Sequence, residues 1–176
     1  MAPSDAPKLD ATDLRILDLL QRNARTSNAE IARELDMAPS AILERIRKLE
    51  TRGVIAGYEA RLSPKAVGLG LAAFVFVRAE ETGTGTETGK LLAQIPEVQE
   101  VHQVAGEDCY LLRLRARDTD DLARLLNERL KSIRTIRGTR TTIVLGTLKE
   151  TARLALGESV GEPAPAAARS AGKRAR

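Results

Sequence analysis

Two helix-start signals, the second of them directly after a short turn, constrain the fold of this chain more than any other feature. Ser27 and Glu30 have the spacing of a capping box, in which each side chain satisfies a free N–H at the start of a helix. A four-residue turn, Asp36 to Pro39, then leads into a further helix, because proline lacks an N–H and is best tolerated at a first helical position. Gly53 fits the position that ends this helix. The region therefore predicts two short helices joined by a tight turn.

A further helix is predicted ahead of this pair. Asp10 can cap its first turn, Asp13 adds a negative charge there, and the helix runs to about Gln21. Apolar residues at helical spacing predict one inner stripe on each helix. Three such helices, the last two flanking a tight turn, are the physical form of a helix-turn-helix. The stripes are Leu14, Leu17 and Leu20 on the first helix, Ile31, Ala32 and Leu35 on the second, and Ile42, Ile46 and Leu49 on the third.

The outward face of the third helix is rich in cations. Residues 1–62 contain ten basic and ten acidic side chains, so the segment is neutral and its positive charge is concentrated on this helix. The pattern predicts DNA binding through the phosphate backbone. One alternative is that the Arg and Lys side chains only keep this helix face exposed to water. Another is that Arg45 and Arg47 form ion pairs with Glu44, Glu50 or a neighbouring helix. The cations are Arg45, Arg47, Lys48 and Arg52.

The stretch from Gly70 to Leu148 mixes strand and helix patterns in the order β-α-β-β-α-β. Its clearest strand begins at Tyr110, where Leu112, Leu114 and Ala116 alternate with three arginines. The order predicts an α+β, ferredoxin-like sandwich with helices on one side of an antiparallel sheet, so the open sheet face predicts self-association. The predicted strands are residues 71–79, 98–104 and 110–117 and a last strand from Ile136 or Thr139 to Leu148; the helices are residues 87–95 and a segment that starts at Asp118 and buries Leu122, Leu125, Leu126, Leu130 and Ile133.

These patterns predict four segments. Residues 1–62 form a winged-helix-like helix-turn-helix domain, in which residues 54–62 alternate well enough for a strand that could pair with another subunit. Residues 63–69 form a linker and residues 70–156 the βαββαβ domain, whose open sheet face predicts oligomerisation. Residues 157–176 have too few large apolar groups to order and form a disordered tail. Its basic residues could add phosphate affinity; they are Arg169, Lys173, Arg174 and Arg176.

Composition excludes several other functions. Aromatic residues make up only 2% of the chain, which argues against a stacking platform for single strands. One cysteine and one histidine, Cys109 and His102, exclude a disulfide framework and argue against metal chemistry, and we predict no cofactor. Cys109 is expected to be a small buried apolar group rather than a redox sensor. The chain has no apolar run that could span a bilayer and no signal-peptide pattern, which predicts a soluble cytoplasmic protein.

An ordered series of motifs resembles the Lrp/AsnC family of transcription regulators over residues 9–150. In the first domain the motifs are Leu9-Asp10, Ile16-Leu17, Asn23-Ala24-Arg25, Ser27, Ile31-Ala32, Pro39-Ser40, Arg45 to Glu50 and Gly53-Val54-Ile55. In the second they are Pro96-Glu97-Val98, Val104 to Leu112 and Thr139 to Thr142. The resemblance implies a sequence-specific regulator of double-stranded DNA that responds to a small effector, such as an amino acid, through changes in assembly. It also implies a homodimer that assembles into tetramers or octamers.

The resemblance assigns the third helix to the major groove. Ser40, Ala41 and Glu44 would face base edges or nearby phosphates. Phosphate contacts would come mostly from the cations, although Arg45 or Lys48 could instead read guanine. The cations concerned are Arg45, Arg47, Lys48 and Arg52.

The resemblance places an effector site at the turn between the second and third strands. Two acidic side chains there can accept from an ammonium group, and backbone amides and threonine hydroxyls can donate to a carboxylate. The implied residues are Gly106, Glu107, Asp108, Cys109, Tyr110, Thr139 and Thr141. An ordinary turn is the alternative for Gly106 to Asp108.

Three positions depart from the family pattern. Asp36 stands where glycine is frequent in the turn, and Ala38 stands where a serine commonly caps the recognition helix. Cys109 stands where the effector motif commonly has aspartate, so either the ligand differs from the usual amino acids or Asp108 takes over.

Other functions remain open from the sequence. They are an architectural, nucleoid-like protein, an amino-acid sensor without DNA binding, and an enzyme similar to siroheme decarboxylases, for which His102 is the only histidine available.

Overall fold

The computed structural model describes residues 8–80 and 86–156 and contains two compact units. One unit comprises residues 8–60 together with 151–156, and the other comprises Arg61–Glu150. The predicted basic tail, residues 157–176, lies outside the described residues, as do residues 81–85 between the first predicted strand and the helix that follows it. No helix in the described ranges is long and apolar enough to cross a membrane.

The first unit consists of three helices, α1 (Ala11–Arg22), α2 (Asn28–Leu35) and α3 (Pro39–Thr51). Asp10 caps α1 and Ser27 caps α2, and both form the reciprocal capping boxes that serine or aspartate at the cap and an acid three residues later make possible. The turn before α3 contains Asp36 in the left-handed conformation, with φ 51°. Gly53, with φ 68°, follows α3 at the position that favours glycine.

The core of this unit contains the predicted stripes of α2 and α3, but α1 differs from the prediction. Ile16 is fully buried on α1 together with Leu17, whereas Leu14 and Leu20 are only half-buried. The prediction therefore holds for Leu17 and in part for Leu20, which packs against the core, whereas Ile16 takes the place that spacing alone had given to Leu14. The cluster also contains Ile31, Ala32, Ile42, Ile46 and Leu49.

Residues 54–62 form no strand within the single chain, and their predicted pairing with another subunit stays a prediction. An alternating sequence becomes a strand only where a neighbouring strand accepts its hydrogen bonds. Residues 64–68 then form turns, with the Leu69 N–H bonded to the Pro64 carbonyl at 2.8 Å.

The second unit has the predicted βαββαβ order. Its elements are β1 (Leu71–Ala79), α4 (Glu87–Ala93), β2 (Val98–Gln103), β3 (Tyr110–Ala116), α5 (Thr119–Leu125), which continues as a π-helical turn over Leu126–Leu130, and β4 (Ile136–Ile143). All pairings are antiparallel and the strand order is β2-β3-β1-β4. The last strand ends at Ile143 and not at Leu148, and Leu145 and Leu148 are fully exposed.

Alternation along β3 determines the two faces of the sheet. Tyr110, Leu112, Leu114 and Ala116 are buried and pack with residues of β1, α4 and α5 in one core. Arg113 and Arg115 project to the opposite face, which no helix of the unit covers among the described residues. This opposite surface is called the open face below.

Candidate DNA-binding helix and ligand site

Burial of one stripe determines which side of α3 is exposed. Ile42, Ile46 and Leu49 lie in the core of the first unit. Because an α-helix turns about 100° per residue, the remaining side chains point away from that core. Most of the predicted DNA-binding residues are exposed, and Ala41 and Arg45 are half-buried; the exposed residues are Ser40, Glu44, Arg47, Lys48 and Arg52.

The exposed cations differ in their partners. Lys48 pairs with Glu44 at 2.7 Å, and this contact lowers the pKa of the Glu44 carboxyl. Arg52 donates to the Lys8 carbonyl at 3.1 Å. Within residues 8–80 and 86–156, Arg47 makes no ion pair, so its guanidinium is the cation of α3 best placed to receive an anion.

Arg45 has a different environment from the other cations. Its Nη1 donates to the Asp10 carboxylate at 2.6 Å and to the Asp13 carboxylate at 2.8 Å. These contacts raise the pKa of Arg45. The pKa of Asp10 is lowered mainly by the Asp13 backbone N–H and then by Arg45. Arg45 therefore forms an ion pair with a neighbouring helix, which was one of the alternatives left open by the sequence. The sequence did not identify its partners, Asp10 and Asp13 at the start of α1.

The start of α3 lacks a side-chain cap. Ala38 occupies the capping position with φ −71° and ψ 138°, and no side chain there accepts from the first turn. The N–H groups of this turn therefore present positive partial charge at the same end of the helix as Ser40.

The loop between β2 and β3 carries most of the predicted ligand residues. Gly106 has φ 150°, a conformation that other residues rarely adopt, which lets the chain turn sharply here. Glu107 is exposed, and the Asp108 side chain is 25% exposed. Tyr110 lies in the core with 2% exposure, so its ring is part of the packing of β3 against α4.

The structure places Arg140, and not the two predicted threonines, beside Asp108. Arg140 pairs with Asp108 at 3.1 Å, and its guanidinium lies 4.0 Å from the centre of the Phe76 ring. Thr139 and Thr141 are opposite Val77 and Val75 in the register, so they lie on the helix-covered side of the sheet. Arg140 is opposite Phe76 on the open face. Strict alternation along β4 was the signal that could have separated these residues.

Cys109 is a structural residue of the sheet. Its Sγ donates to the Ala79 carbonyl at 3.2 Å and accepts from the Ala79 N–H at 3.4 Å. The side chain also packs against the core of the second unit. The expectation of a small buried apolar group is met only in part, because Cys109 is half-buried and its thiol hydrogen-bonds to the N–H and the carbonyl of Ala79.

A charged cluster occupies the β2–β3 half of the open face. Glu100 accepts from Arg113 at 2.9 Å, and Glu150 pairs with Arg113 and with Arg115, the latter at 3.3 Å. Arg61 donates to the Glu150 carbonyl. Burial of the Arg115 side chain lowers its pKa, and its Nε has no hydrogen-bond partner among the described residues. The β1 half instead exposes Phe74.

Two family models match the two parts of the chain. A winged helix-turn-helix DNA-binding model matches residues 9–56, and an Lrp/AsnC ligand binding domain model matches residues 72–154. The leucine-responsive regulatory protein of Haemophilus influenzae is 35% identical over 151 residues, covering 84% of this chain and 90% of that protein. The protein of the same name from Escherichia coli strain K12 is 33% identical over 150 residues, covering 84% and 92%.

Solved structures show the same architecture. A transcriptional regulator from Neisseria meningitidis in complex with L-methionine has a TM-score of 0.81 and 32% identity, covering 87% of this chain and all of that one. A feast or famine regulatory protein from M. tuberculosis complexed with L-methionine has a TM-score of 0.78 and 34% identity, covering 85% of this chain and all of that one.

The fold and these matches define a transcription regulator with a helix-turn-helix DNA-binding domain and an Lrp/AsnC-type ligand-binding domain. The chain belongs to the Lrp/AsnC family.

Proposed function

We propose that α3 reads double-stranded DNA with its exposed side, using Arg47, Lys48 and Arg52 for phosphate contacts. Ser40, Ala41 and Glu44 lie on the same helix and face the base edges in this proposal. The observation that carries it is the exposed Arg47, which no carboxylate neutralises among the described residues. Lys48 can exchange Glu44 for a phosphate, because both side chains are about two-thirds exposed and such surface pairs are weak.

The test of DNA reading is a titration of the full chain with two labelled duplexes. One duplex is enriched from a random library by the protein itself, and the other has the same bases in scrambled order. A specific regulator is expected to bind the enriched duplex about 10³-fold more tightly or better. A ratio near one would refute sequence reading and would favour the architectural function.

The proposed effector is a free amino acid bound at the β2–β3 loop. Asp108 accepts from its ammonium group, and Arg140 binds its carboxylate in place of the Asp108–Arg140 ion pair. Gly106 allows backbone amides to approach the ligand, and Glu107 adds a second carboxylate at the loop. Cys109 and Tyr110 contribute through the backbone, because the side chain of each already packs inside the unit. Thr139 and Thr141 have only a supporting role in this proposal, since they face the other side of the sheet.

The effector proposal is tested by thermal shift of the full chain with each of the twenty amino acids, starting with L-methionine. Asp108→Ala is expected to abolish any shift. Asp120→Ala is the matched control, because Asp120 is an exposed carboxylate at the start of α5. A shift that survives in Asp108→Ala would move the site elsewhere.

The same proposal includes assembly through the open face. A second copy would cover Phe74 and the half-buried arginines, which a single chain leaves accessible to water. Light scattering is expected to report an even-numbered assembly that Phe74→Glu dissociates, and a monomer at all concentrations would refute it. The function is regulatory, and we assign no catalytic step to any residue.

A further inference from the structure

Asp13 is a buried carboxylate in the helix-turn-helix unit. Its side chain is 12% exposed and lies in the first turn of α1. A buried carboxylate destabilises the fold unless it is paired and hydrogen-bonded. Asp13 meets this condition through two donors: Arg45 at 2.8 Å and the Asp10 N–H at 3.3 Å.

Arg45 connects this carboxylate to a second one. The same Nη1 donates to Asp10 at 2.6 Å, and Asp10 is the cap that accepts from the Asp13 N–H at 2.7 Å. Arg45 lies three residues after Ile42 and directly before Ile46, at the edge of the buried stripe of α3. The pair of contacts therefore joins the start of α1 to the middle of α3.

The charge of this cluster does not suit a phosphate. Asp10, Asp13 and Arg45 together carry one net negative charge, so a DNA phosphate approaching Arg45 also approaches two carboxylates. Arg47, two residues further along α3, forms no ion pair with a carboxylate among the described residues. The two arginines, which look equivalent in the sequence, thus have different electrostatic surroundings.

We infer that Arg45 is a positioning residue, which holds α3 at a fixed orientation on α1 through Asp10 and Asp13 and makes no phosphate contact. The inference rests on the proposed DNA reading by α3. It divides the cations of α3 into one that orients the helix and others that bind DNA.

The test compares Arg45→Met with Arg47→Met in the full chain. Affinity for the enriched and the scrambled duplex is measured against salt concentration, at a temperature where circular dichroism shows each variant to be folded. Arg47→Met is expected to reduce the slope of log affinity against log salt by about 0.9 for each phosphate that the variant no longer binds, and to weaken both duplexes alike. Arg45→Met is expected to keep the slope and to lower the enriched-to-scrambled ratio by about tenfold, because a tilted helix misplaces base contacts.

A double-mutant cycle identifies the partners. Asp13→Asn is expected to lower the ratio in the same direction as Arg45→Met, and the double variant is expected to lower it by less than the sum of the two single effects, because both variants lose the Arg45–Asp13 contact. Arg45→Lys restores most of the ratio by keeping a cation between the carboxylates. If Arg45→Met is unfolded at the assay temperature, Asp10→Asn supplies the comparison, since asparagine caps helices equally well and the Asp10 side chain is 53% exposed.

Two results would overturn the inference. One is a salt slope that falls as much in Arg45→Met as in Arg47→Met, with an unchanged ratio. The other is a ratio that Asp13→Asn leaves unaltered. Failure of the proposed function looks different, because the unaltered chain would then show no preference between the duplexes.

Discussion

Replacing Ala38 by serine is expected to stabilise the helix-turn-helix unit. Ala38 has φ −71° and ψ 138°, and Ser27, which caps α2, has φ −73° and ψ 154°. The backbone at residue 38 therefore already has the conformation of a working serine cap. A new hydroxyl there can accept a first-turn N–H without any rearrangement of the chain.

The expected gain follows from comparing the two helix starts. At α2 the Glu30 N–H bonds both the Ser27 carbonyl at 3.0 Å and its Oγ at 3.2 Å. At α3 the equivalent Ala41 N–H bonds only the Ala38 carbonyl, also at 3.0 Å. A serine cap contributes about 1 kcal/mol relative to alanine. For a domain of this size, that gain raises the melting temperature by about 4–8 °C.

The assay is thermal unfolding of the full chain followed by circular dichroism at 222 nm, which reports helix content. Ser27→Ala is the matched control and is expected to lower the helix-turn-helix transition by about the same amount, because it removes a cap of the same geometry. The double variant should return close to the unaltered protein, since the two caps share no partner. An Ala38→Ser variant that melts at or below the original temperature, while Ser27→Ala melts lower, would refute the reasoning.

Three further predictions concern the rest of the chain. Gly89→Ala should destabilise the second unit by about 1 kcal/mol, because the new Cβ would lie 2.8 Å from the buried Tyr110 ring. This overpacking outweighs the gain in helix propensity. An unchanged free energy of unfolding in denaturant would contradict the prediction. The pKa of Asp18 lies below its ordinary 3.8, mainly because Arg153 donates a hydrogen bond to the carboxylate. The ionised carboxylate therefore stabilises the folded chain above about pH 4, and this contribution is lost as the pH falls through the lowered pKa. Asp18→Asn should therefore flatten the fall in melting temperature below about pH 4, and an unchanged acid profile would refute it. Under the proposed function, with L-methionine as the ligand tested, Arg140→Met should weaken binding at least about tenfold in calorimetry, and equal affinity would exclude Arg140 from the ligand site.

Local signals predicted the elements of this chain better than they predicted its contacts. The capping box at Ser27, Pro39 at the start of α3 and the alternation after Tyr110 each depend on neighbours a few residues away, and the structure has all three. The strand predicted after Gly53 depends on a partner strand from another subunit, which neither a local pattern nor a single chain can supply. The boundary of β4 was misplaced for the same reason, because β1, its partner, pairs only as far as Ile143.

The candidate sites show the same limit at the level of side chains. The helical spacing placed several cations on α3, but it could not distinguish Arg45 from Arg47. The carboxylates that pair with Arg45, those of Asp10 and Asp13, are more than thirty residues away from it in the chain. Similarly, a zwitterionic ligand needs donors for its carboxylate, and the sequence suggested the hydroxyls of Thr139 and Thr141. Only the register of β4 shows that Arg140, and not these threonines, lies on the open face, where it pairs with Asp108 of the β2–β3 loop.

The placement of Arg140 restricts how a ligand could influence DNA binding under the proposed function. Its guanidinium lies on the open face over Phe76, where a second copy of the chain would pack, and its carboxylate partner Asp108 belongs to the ligand loop. A ligand that separates this pair therefore changes the charge presented to the second copy. By linkage, it can alter DNA affinity only by the difference between its binding free energies in the two assemblies. Replacing Arg140 should then change assembly even in the absence of ligand, as expected if the coupling lies in the interface and not in α3.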